Sequence, residues 1–242
     1  MPKFFVNEPI GERTVLGGET AAHIAKSLRM KPGEEVVLCD GKGYDYACII
    51  ESITKSQVLL KLAFQTPSES EPAVRVEIYQ GLPKGDKMAE VVRKCTELGV
   101  SAFHPVVMQR SVLKLDQKAA EKKITRLKKI AAEAAGQARR GIVPAVYAVE
   151  PYEAALKNNH CQKTILFYEK GGRPLKEILR EYKAQQVESL ALIIGPEGGF
   201  ESGEVDFAKA QGAEVATLGR RILRTETAPV AASANVFYEL DK

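Results

Sequence analysis

From residue 73 onward, short apolar segments alternate with helix-like segments, and this alternation constrains the fold more than any other feature. Strand-like runs lie at 74–80, 102–108, 143–149, 164–168, 190–194 and 215–218. Helix-like segments lie at 86–98, 116–138, 151–158, 174–186 and 203–211, and a last one starts at 227. Because parallel strands need such crossover connections, the pattern predicts an α/β fold with a mostly parallel sheet covered by helices on both faces.

The first seventy residues have a different, mainly β pattern. Short strand-like runs lie at 4–6, 36–40, 44–53 and 58–63, with a short helix-like segment at 19–28. Glycines bound the turn at 41–43, which predicts a hairpin, and strands packed this densely indicate a small barrel. Segment 64–72 is polar, contains two prolines and lacks periodicity. We therefore expect two domains, residues 1–70 and residues 73–242.

Composition argues against membrane, secreted and zinc-scaffold proteins. No apolar stretch approaches the roughly 18 residues of a membrane span, and the N-terminus lacks the long apolar core of a secretion signal. We expect a cytoplasmic protein with no membrane partner. The four cysteines are far apart and the chain has three histidines, so neither a disulfide framework nor a metal site is expected. Cys95 falls on the apolar stripe of a helix, which predicts a buried thiol.

The distribution of charge is more informative than the net charge of +4. Residues 110–140 contain ten Lys or Arg and three acidic residues, a local excess of +7. Clustered cations of this kind are typical of a surface that binds a polyanion. A solvated helix face explains the same pattern equally well on these grounds. Residues 1–72 carry eight basic and ten acidic side chains, so the N-terminal region is no simple basic clamp.

Two glycine-bearing loops near the C-terminus, 195–200 and 218–228, each follow a strand-like run and lead into a helix-like segment. Ligands of α/β domains bind at the carboxyl ends of strands, so the loops are candidates for the two sides of one pocket. Neither loop matches a phosphate-binding or dinucleotide-binding pattern. Glu197, Glu201 and Glu204 disfavour a pyrophosphate there and favour a neutral or partly cationic ligand. Simple strand-to-helix turns are the alternative.

The loop sequences, GPEGG and LG-x-RILR-x-ETA, resemble motifs of the SPOUT class of S-adenosylmethionine-dependent RNA methyltransferases. More narrowly, the chain is similar to the RsmE family, which methylates N3 of a uridine in bacterial 16S ribosomal RNA. The resemblance spans nearly the whole chain, and Gly136 stands where EAAEQ-like versions carry a glutamate. The remaining matching segments are 3–6, 28–33, 81–87, 96–99, 109–111, 133–135 and Gln137.

The resemblance implies properties that periodicity does not show. It implies a C-terminal SPOUT-type domain with a deep trefoil knot, whereas periodicity alone predicts an ordinary doubly wound sheet. It implies a PUA-like N-terminal barrel that helps bind RNA, and a homodimer with active sites at the subunit interface. The implied partner is 16S ribosomal RNA, either naked or within the small ribosomal subunit.

The resemblance also implies where the cofactor, S-adenosylmethionine, binds. Its adenine and ribose would rest on the backbone of both loops, with Tyr168 ending a neighbouring strand. Glu197 would hold the ribose hydroxyls or face the sulfonium, or it caps the following helix instead. The implied cofactor residues are Tyr168, Ile194, Gly195, Pro196, Glu197, Gly198, Gly199, Leu218, Gly219, Ile222, Leu223 and Arg224.

Methylation of uracil N3 requires removal of the N3 proton, by a base or with a cation that stabilises the anion. Arginine cannot serve as the base, but it can stabilise the anion. We expect Arg224, Arg110 and Arg140 around the target base. Glu133, Glu197 and Glu226 are the candidate proton acceptors. The candidate RNA contacts are Lys122, Lys123, Lys129 and Arg139, with Arg29, Lys31, Lys84 and Lys87 as weaker candidates.

Three alternatives remain open from the sequence. One is a non-catalytic protein that binds ribosomal RNA through the barrel and the basic helix. Another is a dinucleotide-dependent oxidoreductase, which the missing fingerprint disfavours. The third keeps the methyl transfer but moves it to transfer RNA or another ribosomal RNA site.

Overall fold

The computed structural model describes residues 1–6, 8–111 and 116–241 and divides the chain into two compact units. The first unit contains Met1–Glu71 and Ala135–Val143, and the second contains Pro72–Ala134 and Pro144–Lys242. The sequence pattern places residues 135–143 in the second domain, whereas their contacts in the structure are with the first unit. Lys114 of the basic segment lies outside the described residues.

The first unit is a five-stranded sheet with strand order β1-β3-β4-β5-β2. β1 pairs with β3 in parallel and the other pairs are antiparallel, with the expected hairpin between β3 and β4. Its core contains Leu16, Ile24, Leu38, Ile50 and Leu60. The elements are β1 Lys3–Phe5, β2 Arg13–Leu16, α1 Gly18–Ala22 with a π-helical turn His23–Ser27, β3 Glu35–Cys39, β4 Tyr44–Ile53 and β5 Val58–Pro67.

A buried ion pair joins the two chain segments of the first unit. The side chain of Arg140 is 3% exposed, and its Nη2 lies 2.6 Å from Oε2 of Glu71. The other Glu71 oxygen accepts hydrogen bonds from the backbone N–H groups of Gly141 and Ile142, at 2.7 and 3.1 Å. Burial of an arginine requires this kind of charged partner. Arg140, expected beside a target base, therefore has its guanidinium enclosed within the first unit.

The second unit is built on an eight-stranded sheet in which every strand pair is parallel. Strand order is β11-β13-β10-β12-β6-β7-β8, and β9 also pairs with β7. The strands are β6 Arg75–Gly81, β7 Ala102–Val107, β8 Ala145–Val146, β9 Glu150–Pro151, β10 Lys163–Phe167, β11 Arg173–Pro174, β12 Ser189–Ile194 and β13 Glu214–Thr217. The helices are α2 Lys87–Leu98, α3 Gln117–Gln137, α4 Tyr152–Lys157, α5 Leu175–Ala184, α6 Ser202–Ala210 and α7 Ala228–Leu240.

Helices cover both faces of this sheet, as the alternation predicts. Leu190 and Leu192 of β12 face a core that also contains residues of α2, α3, α5 and α7. Ala191 and Ile193 face the opposite core, with residues of α4 and α6. Every residue of β12 is consequently buried, which explains its continuous apolar sequence. Cys95 is also fully buried, in agreement with its expected place on the apolar stripe.

The parallel register brings four strand ends to one edge of the sheet. Gln80 of β6 pairs with Ile194 of β12, Phe167 of β10 pairs with Ile194, and Phe167 also pairs with Ala216 of β13. The loops that follow β12 and β13 therefore start beside each other and beside the end of β6. The threading of a trefoil knot stays a prediction. Within the described ranges, no helix combines the length and apolarity of a membrane span.

Candidate functional site

The loops after β12 and β13 line one cavity of about 470 Å³ at this edge of the sheet. That volume lies within the range of roughly 300–1,000 Å³ typical of pockets for small molecules and cofactors. All twelve residues expected to hold a cofactor line the cavity: Tyr168, Ile194, Gly195, Pro196, Glu197, Gly198, Gly199, Leu218, Gly219, Ile222, Leu223 and Arg224. The structure thus brings these residues together, and their role in binding stays a prediction.

Arg110 supports the first loop from outside the cavity. Its Nε lies 2.6 Å from Oε1 of Glu201, and its Nη1 donates to the backbone carbonyl of Gly198 at 3.0 Å. A guanidinium that bridges a carboxylate and a carbonyl restrains both groups. The described contacts therefore give Arg110 a role in holding the loop, and it is absent from the lining of the cavity.

The acidic residues after the first loop begin helix α6. Glu201 and Glu204 form a capping box, in which the Glu204 carboxylate accepts the backbone N–H of Glu201 at 2.8 Å. The other Glu204 oxygen accepts the N–H of Gln109 at 2.9 Å. Both carboxylates are thus used to satisfy backbone donors. The helix cap is Glu201, which leaves Glu197 for another partner.

Glu197 forms an ion pair with Lys87 at the start of α2. Oε1 of Glu197 lies 2.9 Å from Nζ of Lys87 and accepts the backbone N–H of Lys84 at 3.1 Å. Glu226 lies on the other side of this ammonium, with 3.6 Å between Oε2 and Nζ. Lys87 therefore links a carboxylate of the first loop to a carboxylate of the second loop.

The pKa of Glu197 is lowered by this environment. Burial by itself raises the pKa, but the hydrogen bond from Lys87, the backbone N–H groups of Glu197 and Lys84, and the Lys87 charge together outweigh it. The pKa of Lys87 is raised, chiefly by its hydrogen bond to Glu197. Both groups are consequently charged at neutral pH, and Glu197 is a weak proton acceptor.

The second loop presents cations and an apolar surface. Gly219 has φ of +108°, a conformation that favours glycine, and its N–H donates to the Thr217 hydroxyl at 3.2 Å. Leu218 and Leu223 pack against the core, whereas Ile222 is 83% exposed. Three exposed arginines line the cavity and form no ion pair with the residues that the structure describes: Arg220, Arg221 and Arg224.

Other predicted residues lie elsewhere. Glu133 is exposed on α3 and does not line the cavity, and Glu226 is half-buried beside Lys87. Lys123 donates to the backbone carbonyl of Gly85 at 3.3 Å. The other predicted RNA contacts are all exposed. Those in the second unit are Lys84, Lys122 and Lys129, and those in the first unit are Arg29, Lys31 and Arg139.

Sequence reasoning missed several residues at the cavity. Lys87 was expected only as a weak RNA contact, although the segment 81–87 marked its neighbourhood. Arg220 and Arg221 stand inside the second loop and had the same signal as Arg224. Glu169, Phe200 and Thr225 also line the cavity, and no local pattern distinguishes them from packing or surface residues.

The basic helix α3 has a partly neutralised surface. Arg126 forms two hydrogen bonds with Asp86, at 2.6 and 3.1 Å. Asp86 was expected to cap α2, and it holds the cap position but makes no side-chain capping bond. The remaining exposed lysines of α3 form no ion pair within the described ranges: Lys118, Lys122, Lys128 and Lys129.

Among the residues that the structure describes, no three His, Cys, Asp or Glu side chains group as metal ligands.

Comparison with known families identifies the class of protein. Residues 69–236 match the RNA methyltransferase domain family, and residues 16–63 match the RNA methyltransferase PUA domain. The ribosomal RNA small subunit methyltransferase E of Bacillus subtilis (strain 168) is 36% identical over 93% of this chain and 89% of that protein. The chain belongs to the ribosomal RNA small subunit methyltransferase E family. The resemblance inferred from the loops is confirmed, and so is the N-terminal PUA domain.

Other methyltransferases are similar over comparable lengths. The Synechocystis (strain PCC 6803) ribosomal RNA small subunit methyltransferase E is 32% identical over 95% of this chain and 74% of that protein. A crystal structure of the Neisseria gonorrhoeae enzyme of the same name, bound to S-adenosylmethionine, has a TM-score of 0.86 and 28% identity, with coverage of 98% and 97%. A Legionella pneumophila structure with bound S-adenosylmethionine has a TM-score of 0.81 and 27% identity, with coverage of 98% and 96%.

The Lys87–Glu197 pair predicts a pKa change in a Lys87→Met variant. Removing the ammonium leaves burial as the dominant effect, so the pKa of Glu197 rises. In the unmodified protein the pKa of folded Glu197 lies below its unfolded value, so its contribution to stability is lost as the pH falls through the folded pKa. Carbon-detected NMR of the glutamate side chains during an acid titration measures the change.

Lys84→Met is the matched control for this titration. Lys84 contacts Glu197 through its backbone N–H alone, so the loss of its side chain should leave the titration nearly unchanged. Equal shifts in both variants would contradict a specific role for the Lys87 ammonium.

Proposed function

We propose that this protein transfers a methyl group from S-adenosylmethionine to N3 of a uridine in 16S ribosomal RNA. One observation carries the proposal: two loops of a small-subunit ribosomal RNA methyltransferase family member meet in one cofactor-sized cavity. The loop motifs resemble those of a family that methylates uridine N3, and this resemblance supports uridine N3 as the methylated atom. We further propose that residues 1–70 bind RNA as a PUA-like domain and that residues 73–242 form the catalytic domain.

The cavity has the chemistry that S-adenosylmethionine needs. Leu218, Leu223 and Ile194 supply apolar surface for the adenine, and the glycines of both loops expose backbone N–H and carbonyl groups to its polar edges. Glu169 and Glu197 line the cavity and suit a ligand with a positive sulfonium. When bound, S-adenosylmethionine supplies an electrophilic methyl group. Its presence in the Neisseria gonorrhoeae and Legionella pneumophila structures supports this assignment.

We propose Arg224 as the cation that stabilises the uracil anion, the role that the sequence predicts for it. Its side chain is exposed, lines the cavity and forms no ion pair within the described part of the chain. Arg110 bonds Glu201 and the first loop, and Arg140 is enclosed beside Glu71, so we assign both to holding the structure. Arg220 and Arg221 share the exposure of Arg224 and form a second rank of candidates.

The charges around Lys87 reduce the number of candidate proton acceptors. The lowered pKa of Glu197 makes its carboxylate a poor base. Glu226 lies beside the same ammonium, and its Oε2 is buried without a hydrogen-bond partner among the described residues. We therefore favour Glu226 over Glu197. Neither Glu226 nor Glu133 lines the cavity, but Glu226 adjoins the lining residues Lys87 and Thr225.

Methyl transfer by an Arg224→Ala variant tests the proposal. Small ribosomal subunits from cells that lack this protein serve as substrate, with naked 16S RNA and transfer RNA in parallel. We expect the single-turnover rate to fall by roughly 100-fold, as when one donor to a developing anion is removed. The affinity for S-adenosylmethionine should stay close to that of the unmodified protein, because the cofactor is expected to rest on the loop backbone, which the substitution keeps. The measurements are transfer of radiolabelled methyl and calorimetry.

Arg93→Ala, in an exposed position of α2, is the control for this assay. An unchanged rate in Arg224→Ala, with a loss in Arg220→Ala or Arg221→Ala, would move the role to that neighbour. A methyl at N3 removes a base-pairing donor, so mass mapping and arrest of reverse transcription locate the product. Methylated transfer RNA, or calorimetry without any binding of S-adenosylmethionine, would reject the proposed function.

The exposed lysines of α3 predict the salt dependence of RNA binding. We propose that Lys122 and Lys129 contact phosphates, because their charges are exposed and free of ion pairs among the described residues. Changing both to Gln should reduce the slope of log affinity against log salt by roughly one unit for each lysine that binds a phosphate. Lys123 is unsuitable for this test because its ammonium bonds Gly85. Arg180→Gln, at an exposed position of α5, is the control, and a slope for the double variant that matches it would return α3 to ordinary solvated surface.

Exposed apolar groups on the second unit support the proposed homodimer. Tyr238 of α7 is 87% exposed and lines an apolar groove of about 480 Å³ with Pro174 and Leu179. A second copy that covers this surface would bury the exposed side chains of Tyr238 and Pro174. Sedimentation velocity should give twice the chain mass, and Tyr238→Glu should shift it towards the monomer. Phe64→Glu, at a 59% exposed aromatic of the first unit, is the control, and a monomeric unmodified protein would contradict the homodimer.

A further inference from the structure

Gln80 is a fully buried polar residue at the carboxyl end of a central strand. It has 0% exposure and pairs in register with Ile194, the last residue of β12. The adjoining Gly81 lies so close to the first loop that a Cβ there would be 2.6 Å from Cδ of Pro196. The end of β6 is therefore in direct contact with the backbone that lines the cavity.

The carboxamide of Gln80 connects three separate segments. Its Nε2 donates to the Thr225 hydroxyl at 2.9 Å, to the Gly81 carbonyl at 3.1 Å and to the Gly195 carbonyl at 3.4 Å. Two of these partners are carbonyl oxygens, which only accept, so the amide nitrogen must face them. This requirement fixes the orientation of the amide.

Thr225 completes the connection. Its hydroxyl accepts from Gln80 and donates to the Gly195 carbonyl at 2.7 Å. Gly195 opens the first loop, and Thr225 lies in the second loop, two residues before the cap of α7. Gln80 and Thr225 thus hold the two cofactor loops at a set separation, through hydrogen bonds that are buried away from water.

The carbonyl oxygen of the Gln80 amide, Oε1, indicates that packing alone does not explain a glutamine at this position. Oε1 is buried and has no hydrogen-bond partner among the residues that the structure describes. A buried acceptor without a donor is unfavourable, and an apolar side chain of the same size avoids it. The donor side of the amide therefore has a role that outweighs this cost.

We propose that Gln80 is a positioning residue for the cofactor cleft, acting through Thr225 and Gly195 to keep the two loops in binding geometry. The affinity readout rests on the proposed function, whereas the connection itself concerns the protein without ligand. Gln80 touches neither cofactor nor RNA in this scheme.

At nearly constant volume, Gln80→Met removes the hydrogen bonds of the amide and Thr225→Val removes those of the hydroxyl. Hydrogen exchange of the ligand-free protein should speed up at amides 197–200 and 226–228 in both variants, and stay unchanged in β10 and β13. Affinity for S-adenosylmethionine should fall about tenfold, the equivalent of one or two net hydrogen bonds. The KM for the cofactor should rise more than kcat falls, and the unfolding temperature should change little.

Three further variants separate positioning from a general structural effect. Thr225→Ser keeps the hydroxyl and should restore exchange and affinity to near the unmodified values. The double variant should lose more than Gln80→Met, because Thr225 bonds Gly195 directly, but less than the sum of the two single changes, because both changes remove the bond between Gln80 and Thr225. Thr164→Val removes another buried threonine hydroxyl, on β10 and bonded to Asn159, and should leave both loops unaffected.

Loop exchange that is unchanged in Gln80→Met, or equally fast in Thr164→Val, would overturn the proposal. So would a large fall in unfolding temperature with normal affinity at low temperature, since that is the result of a merely structural role. If the unmodified protein binds no S-adenosylmethionine, the proposed function fails, and hydrogen exchange still decides whether Gln80 holds the loops.

Discussion

The parallel pairing of β12 with β6 on one side and β10 on the other is the constraint on which the candidate site depends. Ile194 pairs with both Gln80 and Phe167, and Phe167 in turn pairs with Ala216. A slip of one residue in any pairing would exchange the two faces of a strand that is buried on both sides. The core therefore determines the register, and the register determines where the two loops begin.

Ion pairs then divide the charge of the site between its two sides. The carboxylates of Glu197 and Glu201 at the first loop are matched by Lys87 and Arg110. The arginines of the second loop have no such partners among the described residues. The result is a first side with balanced charge and a second side that is cationic, an arrangement that suits a polyanionic substrate arriving over the second loop.

Local patterns in the sequence predicted much of this arrangement. The strands, the helices and the two glycine loops follow from periodicity and from glycine after apolar runs, which are signals carried by neighbouring residues. Partners far apart in sequence leave no such signal. Arg140 reads as one more cation of a basic segment, yet its partner Glu71 lies 69 residues away in the first unit. Lys87 and Glu197 are 110 residues apart, and no local pattern in either segment predicts their ion pair.

Gln80 is the clearest example of a contact that local sequence does not predict. The sequence of its strand is typical of a core strand that ends in a polar residue before a glycine. A polar residue at a strand end is usually solvated, and the sequence offers no reason to expect full burial there. In the structure the residue lies between two loops, and it donates to the Gly195 carbonyl of the first and the Thr225 hydroxyl of the second, where water is excluded. An apolar residue would suit the strand, but it would leave the loops joined only by the Thr225 hydroxyl. The side chain at position 80 is thus selected by the loops that converge on it and not by the sheet that carries it.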